Sequence, residues 1–169
     1  MGQITTGTVA INIGDVAVDG GPGTALDTIG FTDADATNEY TEEESTFTDW
    51  PVLESDTPIY TTEVPGAKTL NFTVIDPDVV ALQKVLGGEL TGTAPNQTWN
   101  EPLKRVSKEQ TVELVPEIGL TMVIPRGRVS GRINRDLSKT TGKLALIVSV
   151  RVMQPTKTGV GPLQMVPTV

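Results

Sequence analysis

The sequence predicts a mainly β fold, a β-sandwich or barrel of two packed antiparallel sheets flanked by one α-helix. Several segments alternate apolar and polar residues, which is the period of a strand with one buried face. The 17 Gly and 12 Pro residues indicate many turns between those strands. Only one segment has a complete helix start, apolar face and stop. The length fits a single domain over residues 1–169, with flexible arms expected at 1–7 and 156–169.

Five segments carry the strand pattern. They are residues 8–18, 69–75, 111–115, 119–134 and 143–153. The second of these has its apolar positions at Leu70, Phe72 and Val74. The last has the longest apolar face, formed by Leu144, Leu146, Val148, Val150 and Val152. Because Pro125 has no amide hydrogen for a sheet ladder, the strand that contains it is expected to lie at an edge or to be bulged there.

The single helix is predicted over about residues 77–86. Asp76 is expected to accept the free amide hydrogens of the first turn, and Pro77 has its torsion angle preset for that turn. Gly87 supplies the left-handed residue that ends the helix. The apolar positions at helical spacing are Val79, Leu82, Val85 and Leu86. Since a lone helix in a β protein must cover its apolar face, we expect it to pack on a sheet.

Residues 31–65 differ from the rest of the chain, because they are polar, acidic and rich in threonine. Aromatic side chains are spaced along the segment at Tyr40, Phe47, Trp50 and Tyr60. A structureless loop of this length is uncommon in a compact domain, so we predict a long extended loop or hairpin over about 31–65. If the monomer does not cover the aromatics, a neighbouring molecule is expected to do so.

The composition excludes several kinds of chemistry. The chain has neither cysteine nor histidine, so it lacks thiol chemistry and the usual general base and metal ligand. Ser130 and Ser149 have no histidine to activate them, and no glycine-rich phosphate loop follows a strand. We therefore predict no enzyme activity, no cofactor and no metal. Without a recognisable signal peptide or apolar membrane span, the protein is expected to be made and used in the cytoplasm or to be released by a route other than a signal peptide, with no membrane partner.

The acidic residues of the 31–65 segment allow one alternative, a site for a hard cation such as calcium, which prefers carboxylate oxygens. The candidates are Asp33, Asp35, Glu39, Glu42, Glu43 and Glu44. Their spacing matches no known calcium loop. A solvated or partner-facing acidic strip is the better interpretation.

The two parts of the chain carry opposite charge. Residues 1–101 have a net charge of −15, and residues 102–169 have a net charge of +7. If the fold intermixes them, the charges neutralise one another within the monomer. If it separates them, copies of the chain attract one another head to tail. Such contacts form rings when they close and filaments when they do not.

A row of arginines lies in the long predicted strand of residues 119–134. Arg126, Arg128 and Arg132 are expected on one face, with Val129 and Ile133 on the other. The row allows three interpretations: contacts to nucleic-acid phosphates, a solvated outer face, or contacts to the acidic strip of a neighbouring copy. The overall acidity and the lack of interspersed aromatics count against nucleic acid. We favour the neighbouring copy, because arginine pairs bidentately with carboxylates.

Four motifs, taken in order, resemble the tail tube proteins of long-tailed bacteriophages. They are INIGDVAV near the N-terminus, LDTIGFTDADATNEYTEEE, the strand and helix that end in LGG, and PRGRVSG. The resemblance covers the chain from Ile11 to about Pro155. It implies a β-sandwich or barrel flanked by one helix, of which six copies close into a ring.

The resemblance further implies that the rings stack head to tail into the hollow tube of a virion tail, assembled in the host cytoplasm. DNA would pass through this tube without tight binding. The expected partners are other copies of the chain, the tape measure protein, the tail terminator and the distal tail proteins. The residues that we expect between subunits are Glu42, Glu43, Glu44, Tyr40, Phe47, Trp50, Tyr60, Arg126, Arg128 and Arg132.

Other functions stay open on the sequence. The same fold is shared by the inner tubes of contractile tails and secretion systems. A capsid decoration or fibre domain would form trimers or isolated knobs instead of six-fold rings. A small-molecule-binding β-barrel would be a monomer with a measurable pocket.

Overall fold

The computed structural model describes residues 4–168 and is mainly β with one short helix, which confirms the predicted fold class. The elements follow the chain in the order β1 (Ala10–Asp15), β2 (Asp27–Thr28), β3 (Phe31–Thr32), β4 (Glu39–Glu42), β5 (Thr46–Val52), β6 (Ser55–Val64), β7 (Lys68–Ile75), α1 (Val79–Leu86), β8 (Glu89–Thr91), β9 (Thr98–Asn100), β10 (Lys108–Val115), β11 (Leu120–Arg135), β12 (Leu144–Val152) and β13 (Gln164–Pro167).

Most of the strands belong to one large antiparallel sheet. Its main path runs β2-β1-β10-β11-β12-β7-β3. β4 also pairs with β7, and β13 pairs with the beginning of β11. The hairpins β5–β6 and β8–β9 form two small sheets of their own. The long strand β11 is therefore central, and it pairs with β10, β12 and β13 along different parts of its length.

The large sheet curves around a single apolar core. Ile13 of β1 and Phe72 of β7 come from opposite parts of the sheet path and belong to the same buried cluster. The amide of Ile29 donates a hydrogen bond to the carbonyl of Ile11 at 3.3 Å, which brings the connection between β2 and β3 against β1. The predicted apolar face of β12 is fully buried at Leu146, Val148 and Val150.

The helix begins later than the sequence predicts. Its N-cap is Asp78, whose carboxylate accepts a hydrogen bond from the amide of Ala81 at 2.6 Å. The prediction that Asp76 caps the helix is therefore wrong. Asp76 has a left-handed backbone with φ 55° and lies outside the helix. An N-cap residue needs an extended backbone, which Asp78 has with φ −77° and ψ 170°, whereas Asp76 does not.

The end of the helix and its packing agree with the prediction. Gly87 has φ 77°, and its amide donates to the carbonyl of Gln83 at 3.0 Å. The helix packs on β11 through its buried side chains, Ala81, Leu82, Val85 and Leu86. Val79 is half-buried at the first turn. Among the described residues, no helix has the length and apolar character that a membrane span requires.

Pro125 lies in a bulge in the middle of the sheet. The pairing register between β10 and β11 shifts at this position, as the sequence predicts for a proline inside a strand. The carbonyl of Pro125 accepts a hydrogen bond from the hydroxyl of Thr111 at 2.8 Å. The buried Thr111 thereby supplies a hydrogen-bond donor to a backbone carbonyl that the irregular ladder leaves without a strand partner.

Of the C-terminal arm expected over residues 156–169, the part that the structure describes, residues 156–168, contacts the sheet and the core. β13 pairs antiparallel with Leu120–Val123, and Leu163 packs against the core. Apolar side chains in the tail are removed from water when the tail pairs with the sheet. This burial offsets the conformational entropy that the tail loses. Of the expected N-terminal arm, residues 1–3 lie outside the described residues, and Thr6 forms a β-bridge with Ile118.

Candidate interaction surface

The predicted excursion of residues 31–65 has a docked part and a projecting part. β3 and β4 pair with β7 and belong to the large sheet. β5 and β6 form a hairpin whose substantial packing is with itself. We call this hairpin, Thr46–Val64, the arm. All of its residues are exposed except Val52 and Ser55, which are half-buried.

The arm continues the ladder between β4 and β7 beyond the domain. Glu42 lies opposite Lys68, and the amide of Glu43 donates to the carbonyl of Ala67 at 2.9 Å. Gly66 makes this approach feasible, because a Cβ there would stand 1.9 Å from the carbonyl oxygen of Glu43. Backbone hydrogen bonds thus connect the base of the arm to the sheet and hold the arm away from the core.

Three of the four aromatic residues that the sequence predicted at an interface lie on the arm. Phe47, Trp50 and Tyr60 are 63%, 59% and 64% exposed. Trp50 and Tyr60 are directly opposite one another on the two strands, so their rings share one face of the hairpin. Phe47 lies on the other face, because side chains alternate along a strand. The arm therefore has apolar surface on both faces.

Tyr40 differs from the arm aromatics, because the core covers part of its ring. It lines an apolar cavity of about 330 Å³. Further residues of the wall are Leu114, Pro116, Leu120, Met122 and Met165. Burial raises the pKa of the Tyr40 phenol, whose hydroxyl has no hydrogen-bond partner among residues 4–168. The sequence did not indicate this cavity, since its walls come from strands far apart in the chain.

The acidic strip is only partly neutralised within the chain. The carboxylate of Glu42 lies 3.0 Å from the ammonium of Lys68, and this contact raises the pKa of Lys68. Glu43 and Glu44 are exposed and have no ion pair in the described part of the chain. The arm contains no Lys or Arg, and it adds the carboxylates of Asp49, Glu54, Asp56 and Glu63.

The three arginines of the predicted row differ in their availability. Arg126 binds Glu109 of its own chain, with 2.8 Å between Nε and Oε2. The guanidinium of Arg128 lies 3.6 Å from the same carboxylate and is 56% exposed on its side chain. Arg132 is exposed and has no ion pair within residues 4–168. Arg132 is therefore the member of the row that is most available to a partner.

The carboxylates of the alternative cation site are not brought together. Asp33 is buried and pairs with Lys143, and a hydrogen bond from that ammonium holds the pKa of Asp33 below its ordinary value. The same contact raises the pKa of Lys143. Residues 4–168 contain no group of three or more acidic side chains placed to hold a metal ion. Asp33 thus forms an ion pair inside the fold.

Ion pairs connect the two oppositely charged parts of the chain at a few points only. Asp33 with Lys143 and Asp19 with Lys157 each join an acid of the first part to a base of the second. Within the described residues, the basic side chains that form no ion pair are Lys104, Arg105, Lys108, Arg132, Arg135, Lys139 and Arg151. The fold therefore leaves acidic side chains and basic side chains that are both without a charged partner in the described residues.

A groove that the sequence did not indicate lies beside β11. It consists of two adjoining depressions of about 170 Å³ and about 350 Å³, which share Arg105, Ser130 and Gly131. Other residues of its walls are Val85, Leu86, Val106, Arg132, Ile147 and Ser149. We call it the Arg105 groove. Arg105 comes from an irregular connection, and no periodic pattern reveals where such a residue lies in the fold.

In comparisons with known proteins, no family model matches this chain, and no curated protein matches it significantly. The two most prominent features of the surface are the acidic, aromatic arm and the unpaired arginines of the Arg105 groove.

Proposed function

We propose that this chain is a structural virion protein, the tail tube protein of a long-tailed bacteriophage. Six copies close into a ring, and the rings stack head to tail into a hollow tube that conducts the genome into the host. The sequence motifs between Ile11 and about Pro155 support the proposal. So does the mainly β fold with one helix packed on the large sheet.

The observation that carries the proposal is the uncovered arm. A two-stranded hairpin is at best marginally stable on its own in water, and this one exposes Phe47, Trp50 and Tyr60 together. Burying a large apolar side chain contributes about 1.5–3 kcal/mol. Covering the three rings therefore favours association strongly. A second copy is a suitable partner, because the same chain also has unpaired basic side chains that complement the acidic arm.

The reach of the arm suits contacts between rings. A strand rises about 3.3 Å per residue, so the 10 residues of β6 extend over roughly 30 Å. An arm of this length contacts a copy in the next ring while the body of the domain contacts copies in its own ring. Closure of a ring also gives neighbours to the outer strands of the large sheet, which would otherwise remain unpaired edges.

In this role the protein belongs to the virion tail, is assembled in the host cytoplasm and has no enzyme activity. Its partners are other copies of itself, together with the tape measure protein, the tail terminator and the distal tail proteins. The net charge of −8 opposes tight binding of DNA phosphates to the wall of the tube. The genome therefore passes through without being held.

The test is negative-stain electron microscopy of the purified chain over a range of concentration and salt. We expect six-fold rings or hollow tubes. Stable trimers or isolated knobs would indicate a capsid decoration or fibre domain instead. A chain that stays monomeric under every condition would contradict self-assembly.

A pair of variants connects assembly to the arm. Trp50→Ala combined with Tyr60→Ala removes the aromatic pair and is expected to prevent stacked rings while the fold is retained. Val18→Ala is the matched control, because Val18 is a fully exposed apolar residue outside the arm. If both variants form tubes as the wild type does, the arm does not drive the assembly.

The cavity beside Tyr40 favours a second candidate function, binding of a small apolar molecule. Its volume of about 330 Å³ lies at the lower end of the range for ligand pockets. The buried hydroxyl of Tyr40 supplies one polar group that a ligand can satisfy. Titration with a fluorescent apolar probe tests this candidate. Saturable binding that Met122→Trp abolishes would support it, whereas binding that is unchanged in the variant would exclude this cavity.

A further inference from the structure

β11 has an unpaired edge beside the Arg105 groove. β10 pairs with β11 only as far as Val129, whereas β12 pairs with it as far as Arg135. In the part of the chain that the structure describes, no further strand pairs with Ser130–Arg135 on its second side. Such an edge presents backbone amides and carbonyls that can bind an additional strand.

The groove next to this edge suits a strand that is both acidic and apolar. Arg105 and Arg132 line it, and neither has an ion pair among residues 4–168. Val106, which is 61% exposed, adds apolar surface, whereas Ile147 lies across β11 on the paired strand β12. Carboxylates that approach the two guanidinium groups form charge-assisted hydrogen bonds, while rings of the same strand cover the aliphatic side chains.

The arm has the complementary composition. Asp56 and Glu63 are exposed acids with no ion pair in the described residues, and the rings of Trp50 and Tyr60 lie on the same hairpin. Because β5 and β6 form a sheet of only two strands, each of them keeps one unpaired edge. The arm thus has carboxylates, exposed rings and a strand edge, one counterpart for each property of the groove.

We propose that the Arg105 groove binds the arm of a second copy of this chain, with an arm strand beside Ser130–Arg135. This inference rests on the proposed self-assembly and assigns the surface that receives the arm. The acidic arm and the basic groove attract one another electrostatically. We therefore expect the contact to weaken as the salt concentration is raised, since salt screens exposed charges. In this contact every copy donates its arm to one neighbour and receives the arm of another in its groove. Such a head-to-tail interface propagates from copy to copy.

The experiment reverses charge on the receiving side of the full-length chain. Arg105→Glu combined with Arg132→Glu is expected to raise the concentration needed for assembly about tenfold or more, because like charges then face one another. Assembly is measured by sedimentation velocity at low and high salt, and circular dichroism checks the fold. The single variants Arg132→Glu and Lys139→Glu are compared as a matched pair, because each makes the same change of charge and Lys139 lies in the β11–β12 loop outside the groove. Equal effects of Arg132→Glu and Lys139→Glu would overturn the proposal.

A charge swap keeps the test valid if the reversed groove alone folds poorly. The arm variant Asp56→Lys with Glu63→Lys is expected to impair assembly when the chain keeps its wild-type groove. When the same chain also carries Arg105→Glu and Arg132→Glu, assembly is expected to be restored. Failure of the swap to restore assembly would overturn the proposed site. One outcome separates the two proposals: the variant Trp50→Ala with Tyr60→Ala cannot assemble, while the variant Arg105→Glu with Arg132→Glu assembles normally. The proposed function then stands, and the proposed binding site is wrong. A wild-type chain that never assembles overturns both.

Discussion

Gly131 of β11 lies directly beneath Val85 of the helix: a Cβ built at Gly131 would stand 2.5 Å from Cγ1 of Val85. The same atom would lie 3.2 Å from Cδ2 of Leu86. The helix therefore approaches the sheet as closely as a strand without a side chain allows. Two separate segments, one predicted as a helix and one as a strand, meet at this glycine.

Gly131→Ala is predicted to destabilise the fold by about 1–3 kcal/mol, because the added methyl group overpacks the contact between the helix and the sheet. Gly161→Ala is the control, since its Cβ would meet only ordinary contacts, the nearest at 3.5 Å. Denaturant unfolding measures both variants, and the control should change the free energy of unfolding by less than about 0.5 kcal/mol. Equal changes in the free energy of unfolding would show that the close approach at Gly131 does not contribute to stability.

Asp78→Ala is predicted to lower the free energy of unfolding by about 1 kcal/mol, because the amide of Ala81 loses its acceptor. Asp76→Asn serves as the control. It retains a residue type that tolerates the left-handed conformation at this position. Thermal or denaturant unfolding of the two variants distinguishes the two aspartates. A larger loss for Asp76→Asn would restore Asp76 as the important residue at the start of the helix.

The ion pair between Asp33 and Lys143 is predicted to make stability depend on pH. The pKa of Asp33 is lower in the folded chain than in the unfolded chain, where it is about 3.9. Its stabilising contribution is therefore present above that pH and is lost as the pH falls through the folded value. Lys143 has a raised pKa, so its contribution is present below about pH 10.4 and is lost at higher pH.

The measurement compares the wild type with Lys143→Met in denaturant unfolding between neutral and acid pH. The wild type should be more stable near neutral pH, and the difference should shrink as Asp33 becomes protonated. Lys139→Met is the control, because Lys139 belongs to the same β11–β12 loop and forms no ion pair in the described residues. A difference that does not change with pH would exclude Asp33 as its origin.

The arm is predicted to be the first site of cleavage by chymotrypsin before assembly and to be protected afterwards. Phe47 and Tyr60 are exposed on a hairpin whose substantial packing is with itself, and local opening of such a segment costs little. Mass spectrometry of the fragments identifies the cleaved bonds. Cleavage at the same rate in the assembled and unassembled protein would contradict a role of the arm in contacts between copies.

Most of the secondary structure could be predicted from local patterns. The alternation in β7 and β12 and the helical spacing from Val79 to Leu86 depend on residues that are close in sequence. The positions of Gly87 and Pro125 likewise followed from the backbone limits of glycine and proline. The helix start was predicted incorrectly, because Asp76 and Asp78 are both suitable caps by residue type. Only the folded backbone, left-handed at Asp76 and extended at Asp78, decided between them.

The candidate site was predicted in part. The aromatics of residues 31–65 were expected to need a partner, and the arm leaves Phe47, Trp50 and Tyr60 exposed. The interface prediction did not foresee that Tyr40 would be partly covered by the core. It also did not foresee that Arg126 would bind Glu109 of its own chain. These outcomes depend on which strands become neighbours in the sheet, and sequence spacing does not contain that information.

The sequence by itself determined the mainly β class, the single helix, the lack of thiol and imidazole chemistry, and the opposite charge of the two parts of the chain. Only the tertiary structure decided which charges are compensated, because ion pairs such as Asp33 with Lys143 join residues far apart in the chain. It alone placed Arg105 beside the unpaired edge of β11 and extended the arm away from the core. The reason is physical: periodicity records which face of an element is buried, whereas a surface is formed by elements that meet only when the chain folds.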